Sequence, residues 1–204
     1  RGLGDVYKRQ DLSSSPPLER LPLAPKVLDL VQQDTKKWVG IAPFAAHEGK
    51  MYPLESMETV IQELNNTNKY KILLFGGGEK EVTVLEDMAN SYNNALCMAG
   101  KLKLSEELQL ISNLDVMLSM DSGNAHMAAN YGIPVVTLWG VTHPYAGFYP
   151  FGQPLENALT ADRETYPLIP TSVYGNKVPQ GYENAMQTIK PTDVLNKLFQ
   201  LLKT

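Results

Sequence analysis

From Trp38 onward the chain alternates short apolar runs with longer stretches of helical spacing, and this alternation restricts the fold more than any other feature. The apolar runs lie at Trp38–Phe44, Tyr70–Phe75, Leu96–Ala99, Asp115–Met120 and Pro134–Trp139. Helical spacing fills the gaps at Leu54–Asn65, Glu79–Ser91, Leu104–Asn113 and Asn124–Tyr131. In the first of these, Leu54, Met57, Ile61 and Leu64 recur on one face, the mark of an amphipathic helix. Pro191–Leu202 closes the chain as a further amphipathic helix, with Pro191 in its first turn, where the missing N–H costs nothing. Strands alternating with helices of about 10–15 residues predict βαβ units and a parallel sheet. Right-handed crossovers then place helices on both faces, so the fold class is α/β, a doubly wound parallel sheet. Ligands of such sheets bind outside the carboxyl ends of the strands. That rule selects the loops Ala45–Lys50, Gly76–Lys80, Gly100–Lys103, Asp121–His126 and Gly140–Tyr145.

The ends of the chain read differently. Arg1–Gln10 shows no amphipathic period and leads into no element, so residues 1–10 are read as a foreign leader. Residues 11–37, rich in Ser, Pro and Leu at their start, are read as a linker with a short helix at Lys26–Gln33. Residues 38–204 then form the folded domain. The 204 residues carry a net charge of −4, which offers no sign of nucleic-acid binding. Cys97 is the sole cysteine, so neither a disulfide nor a cysteine zinc site can form within the chain, and a small buried hydrophobe is its expected role. His47, His126 and His143 are too scattered for metal-ligand spacing; no metal and no cofactor are expected, and His47 and His143 are read as solvated. No apolar run approaches the ~20 residues of a membrane helix, which leads to an expected cytoplasmic location.

Chemistry concentrates in the turn Asp121-Ser122-Gly123-Asn124-Ala125-His126, where a buried strand gives way to a helix. Ser122, Gly123 and Asn124 can present backbone N–H groups from a helix N-terminus. That end carries about half a positive charge and suits a phosphate. Gly123 lets the backbone approach a ligand closely. Asp121 can accept hydrogen bonds from sugar hydroxyls, and His126 can face the ligand or the core. A helix merely capped by Ser122 or Asp121 fits the same residues taken alone. After Gly76-Gly77-Gly78, Glu79 can hold the two vicinal hydroxyls of a ribose. The loop lacks the G-x-G-x-x-G spacing and no Walker Lys-Ser/Thr pair follows it, which argues against an NAD or ATP site. Lys50 can neutralise a diphosphate as a point charge, or remain a solvated surface lysine.

Taken together, these segments resemble glycosyltransferase family nine, the ADP-heptose:lipopolysaccharide heptosyltransferases. The resemblance runs from Trp38 to Leu202. Its strongest parts are Asp115–Ala129, Gly132–Pro144 and Pro150-Phe151-Gly152, with Lys50-Met51-Tyr52-Pro53, Glu79 and Ala99-Gly100-Lys101 in register. It implies a Rossmann-like sheet forming the C-terminal half of a GT-B glycosyltransferase. It implies that Lys50 contacts the diphosphate or sugar, Glu79 the ribose and the backbone of Leu102 the adenine. Asp121 would meet the sugar or its phosphate, Ser122 and Gly123 the diphosphate, and His126 would support the turn. The partners so implied are a nucleotide-sugar donor, ADP-heptose first, and a lipopolysaccharide core acceptor bound by a preceding domain that also carries the catalytic base. Peripheral association with the inner face of the inner membrane would follow from that acceptor. The chain by itself is then expected to bind nucleotide without turning over.

Two departures stand out. Ala45-Ala46 replaces small hydroxyl residues of the family's first loop, and Ser172-Val173-Tyr174-Gly175-Asn176-Lys177 lacks the cysteines of many relatives. Other readings are a GT-B enzyme using a UDP- or GDP-sugar and a non-catalytic nucleotide-binding domain of flavodoxin-like build. A receiver domain of the latter kind would want an acidic cluster after its first strand, where this chain has Pro43-Phe44-Ala45-Ala46.

Overall fold

The computed structural model describes residues 16–32, 34–146 and 148–203. The leader assigned to residues 1–10 lies outside them. Six strands form one sheet in the order β3-β2-β1-β4-β5-β6, and every neighbouring pair is parallel. The chain runs α1 (Pro25–Val31), β1 (Lys37–Ala42), α2 (Leu54–Asn66), β2 (Tyr70–Leu74), α3 (Glu79–Asn90), β3 (Ala95–Cys97), α4 (Leu104–Ile111), β4 (Val116–Met120), α5 (Gly123–Asn130), β5 (Val135–Trp139), β6 (Ala158–Thr160) and α6 (Pro191–Leu202). This is the expected Rossmann-like, doubly wound α/β architecture.

The two faces of the sheet bury two separate sets of side chains. On one face Val39 and Ile41 of β1 and Val116, Leu118 and Met120 of β4 meet Met57, Val60, Ile61 and Leu64 of α2, Leu85 of α3, and Val194, Leu198 and Leu202 of α6. On the other face Trp38, Ala42, Leu73, Met117 and Val135 meet Val27 and Val31 of α1, Leu110 and Ile111 of α4, and Ala125, Ala128 and Ala129 of α5. Successive residues of a strand point to opposite faces. With both faces covered, the inner strands must therefore be apolar throughout. Cys97 is buried in the first set, as a small hydrophobe should be.

Sequence periodicity places every helix and the first five strands within a few residues of their observed limits. It misses β6, which pairs in parallel with β5 at the sheet edge. Its three residues, Ala158–Thr160, are too few to carry a period, and they follow a proline-bearing stretch.

Part of the stretch read as linker packs against the sheet. Leu18 N–H donates to Asn130 O at 2.7 Å, Leu21 N–H to Ser112 Oγ at 3.0 Å, and Ala24 N–H to Gln109 Oε1 at 2.9 Å. Val27 and Val31 of α1 are fully buried. The last carbonyls of α1 are met by Lys71, a buried lysine on β2, whose Nζ donates to Val31 O and Gln32 O and pairs with Asp34 at 3.1 Å. A cation at the carboxyl end of a helix satisfies both its orphan carbonyls and its dipole.

Leu118 lies fully buried in the middle of β4. Leu118→Ala is expected to lower stability by about 2–5 kcal/mol through lost transfer energy and the cavity left behind. Urea unfolding should show a lower midpoint with an unchanged slope.

Candidate nucleotide-sugar site

In the strand order the sequence of connections reverses between β1 and β4. A crevice must open there, because the connections leaving these two strands diverge to opposite faces. The structure has a cleft of about 370 Å³ at that point. The loop after β1 contributes Phe44, Ala45 and Ala46. The loop after β2 contributes Gly76 and Gly77, with Glu81 from α3, while Glu107 of α4 and the turn Ser122-Gly123-Asn124 complete the lining.

The turn after β4 is held from within. Ser119, fully buried, lies 3.0 Å from Ser122 by their hydroxyl oxygens and also donates to Met120 O at 2.9 Å. Ser122 is the N-cap of α5 in extended conformation, and its side chain makes no capping hydrogen bond. The first N–H groups of α5 therefore have no side-chain acceptor at the cap. They border the cleft at the positive end of the helix dipole, which suits an anion.

Asp121 and Lys50 come together beside this turn. Lys50 Nζ lies 2.8 Å from Asp121 Oδ2, with side-chain exposures of 13% and 4%. Lys50 is thus a half-buried, ion-paired lysine rather than a solvated one. It ends a 3-10 turn, Glu48–Lys50, which Gly49 O ties to the loop just after β5 by accepting from Val141 N–H at 3.0 Å. The Ser172–Lys177 segment packs over Lys50. Gly175 has φ +73°, and a Cβ there would lie 2.5 Å from Lys50 Cγ. Only glycine combines that left-handed backbone with so close an approach. Nearby on the chain, the buried hydroxyls of Thr142 and Ser172 have no hydrogen-bond partner among the described residues.

Of the residues singled out in the sequence, Ser122 and Gly123 line the cleft, and Lys50 and Asp121 pair at the base of the same turn. Glu79 is the first residue of α3 and is exposed, outside the cleft lining. Leu102 packs partly buried against the core beneath α4 and α5. His126 is half-buried on α5, also outside the lining. His143 is buried rather than solvated, at 8% exposure. Burial first, then the charge of Arg163, holds its imidazole below the usual 6.5. Among the described residues no group of three His, Cys, Asp or Glu side chains converges as a metal site would require.

Two acids in the cleft were missed. Glu81 Oε2 accepts from Gly77 N–H at 2.8 Å, so the carboxylate folds back over the glycine loop. The signal was its place as the third residue of α3, where a glutamate characteristically reaches back to the N-cap region. Glu107 was hidden inside an amphipathic pattern.

A doubly wound parallel sheet with a glycine loop and a free helix N-terminus at its switch point defines a Rossmann-like α/β protein of the kind that binds ligands at its strand ends. The family model of glycosyltransferase family 9 (heptosyltransferase) matches residues 10–177, and the chain belongs to that family. Lipooligosaccharide heptosyltransferase 2 of Haemophilus influenzae is 31% identical over 147 residues, which is 70% of this chain and 40% of that protein. The fold is shared with a glycosyl transferase family 9 structure from Veillonella parvula, at TM-score 0.68 and 19% identity over 92% of this chain and 54% of that one. It is also shared with the Escherichia coli heptosyltransferase WaaC solved with ADP, at TM-score 0.61 and 17% identity over 86% of this chain and 47% of that one. The chain therefore spans roughly half the length of the proteins it matches.

Two outcomes follow from this geometry. Lys50→Ala leaves Asp121 buried without its partner and is expected to cost about 3–5 kcal/mol in denaturant unfolding, whereas Lys50→Met combined with Asp121→Leu should recover most of that loss. For His143 the folded pKa lies below the unfolded value, so the unfolded chain binds the proton more readily. Its contribution to stability is complete above about pH 6.5 and is lost as pH falls through that value toward the folded pKa. His143→Phe should flatten that part of a stability-against-pH curve measured by thermal unfolding.

Proposed function

We propose that this chain is the nucleotide-sugar-binding, C-terminal half of a GT-B glycosyltransferase that transfers heptose, or a closely similar sugar, from ADP-heptose to a lipopolysaccharide core acceptor. The observation that carries the reading is the switch-point cleft, where the free N-terminus of α5 meets the Lys50–Asp121 pair. Family membership and the ADP named with one related structure point the same way.

In this reading the diphosphate sits at Ser122 and Gly123 and receives backbone N–H bonds. Lys50 neutralises it, and Asp121 holds both Lys50 and a hydroxyl of the sugar. When the acceptor hydroxyl attacks the anomeric carbon, the bond from that carbon to the diphosphate oxygen breaks and charge develops on the leaving group. Groups placed for that charge before the reaction lower its barrier most. The acceptor's proton goes to a base outside the residues of this cleft. Glu81, which lines the cleft, takes the ribose hydroxyls in place of Glu79. Leu102 and His126 support the adenine edge and the turn. Ala45 and Ala46 border the diphosphate with backbone only, so affinity rests more heavily on Lys50 and the turn. No described helix is long and apolar enough to cross a membrane. The lipid-linked acceptor places the enzyme on the cytoplasmic side, in peripheral contact with the inner membrane.

Calorimetric titration with ADP, UDP and GDP tests the reading. ADP should bind, and Asp121→Ala and Glu81→Ala should each weaken it by about tenfold or more, the scale of one lost charge-assisted hydrogen bond. Preference for UDP or GDP would remove heptose from the proposal and keep a nucleotide-sugar. Absence of binding by all three would overturn it.

A further inference from the structure

The roles assigned above leave one acid of the cleft without a task. Helix α4 is anchored by its other polar side chains. Glu106 accepts from Lys103 N–H at 2.8 Å and pairs with Lys26 at 3.1 Å, and Gln109 accepts from Ala24 N–H at 2.9 Å. Glu107 differs from both. Residues 107, 110 and 111 share one face of a helix, and Leu110 and Ile111 are fully buried. Helical spacing thus puts a carboxylate where packing asks for an apolar side chain. Glu107 is half-buried and makes no hydrogen bond or ion pair with any described residue. Burial alone raises its carboxyl above the usual carboxylate range. An unpaired acid so placed costs the unliganded fold, and such costs cluster at ligand sites.

The chemistry of the cleft narrows what it meets. Among the described residues no lysine, arginine or histidine lines the cleft wall beside Glu107, and Lys50 lies beneath the turn after β4, so an anionic group is held at the α5 N-terminus and repelled by Glu107. The group that suits Glu107 is an uncharged hydrogen-bond donor. A nucleoside diphosphate offers such donors on the ribose, which Glu81 serves beside Gly77, and on the base. We propose that Glu107 is a specificity-determining residue that accepts a hydrogen bond from the exocyclic amino group of the base, selecting an aminopurine. This rests on the nucleoside-diphosphate reading of the cleft and names what part of the donor Glu107 recognises.

The test compares ADP with purine riboside diphosphate, which lacks only that amino group, by titration of the 204-residue chain. The unsubstituted chain should favour ADP by about tenfold or more, the scale of one hydrogen bond to a charged group. Glu107→Leu should bring the ratio close to unity, and Glu107→Gln, which keeps an acceptor oxygen, should retain part of it. Without ligand, Glu107→Leu should melt no lower than the parent, because the site gains an apolar side chain where one fits. An unchanged ratio in the Leu variant, or a lower melting temperature for it, would overturn the assignment. Failure of the parent to bind any nucleoside diphosphate would overturn this inference together with the function it rests on, whereas ADP binding with an unmoved ratio would overturn this inference alone.

Discussion

Burial of the sheet on both faces governs where this protein can do chemistry. Val39, Ile41, Leu118 and Val136 face one helical layer, and Trp38, Met117 and Val135 face the other. A charged side chain in the middle of β1, β4 or β5 would have no water and no partner, so reactive groups are pushed to the strand ends. On the neighbouring β2, the buried Lys71 is accepted because it caps α1 and pairs with Asp34. The reversal of strand order between β1 and β4 then decides which ends are left open.

At that opening, charge is arranged in two zones. The N-terminus of α5 supplies the positive end, and the Lys50–Asp121 pair beside it is mutually neutralised. Lys50 is aimed by its surroundings: the 3-10 turn is tied to the loop after β5, and Gly175 lets the Ser172–Lys177 segment close over its aliphatic stem. This gives that segment a physical role without the cysteines found in many relatives. The cleft lining also carries Glu81 and Glu107, acids that suit neutral donors such as hydroxyls and amines. A ligand with an anionic end and a donor-rich end fits both zones at once, and a nucleotide-sugar has that polarity.

Within this arrangement, segments far apart in sequence depend on one another. Residues 16–31 lie across α4 and α5 through Leu18, Leu21 and Ala24, and α1 completes the core under those helices. The helix that supplies Glu107 and the helix that supplies the anion-binding N-terminus are thus braced by the same incoming chain. In the other layer α2 and α6 pack together and carry no cleft residue, whereas α3 of the same layer brings Glu81 to the cleft.

The amino-acid sequence by itself determined the layers, the parallel order of elements, and the turn at Asp121–Gly123 between a buried strand and a helix. It could do so because strand and helix periods are local and because a turn after a buried strand is marked by its own residues. Family resemblance likewise picked out Lys50 and Asp121, although their 2.8 Å contact joins residues 71 positions apart and no local pattern encodes it. The tertiary structure alone decided the rest. It left Glu79 exposed at the start of α3 and folded Glu81 back onto Gly77. It buried His143, added β6 at the sheet edge, and drew α1 into the core. It also revealed Glu107, which a helical wheel reads as a misplaced polar residue. The reason is the same in each case: whether a side chain meets water, core or cleft is set by which distant element packs beside it, and that information is shared between segments rather than held in one.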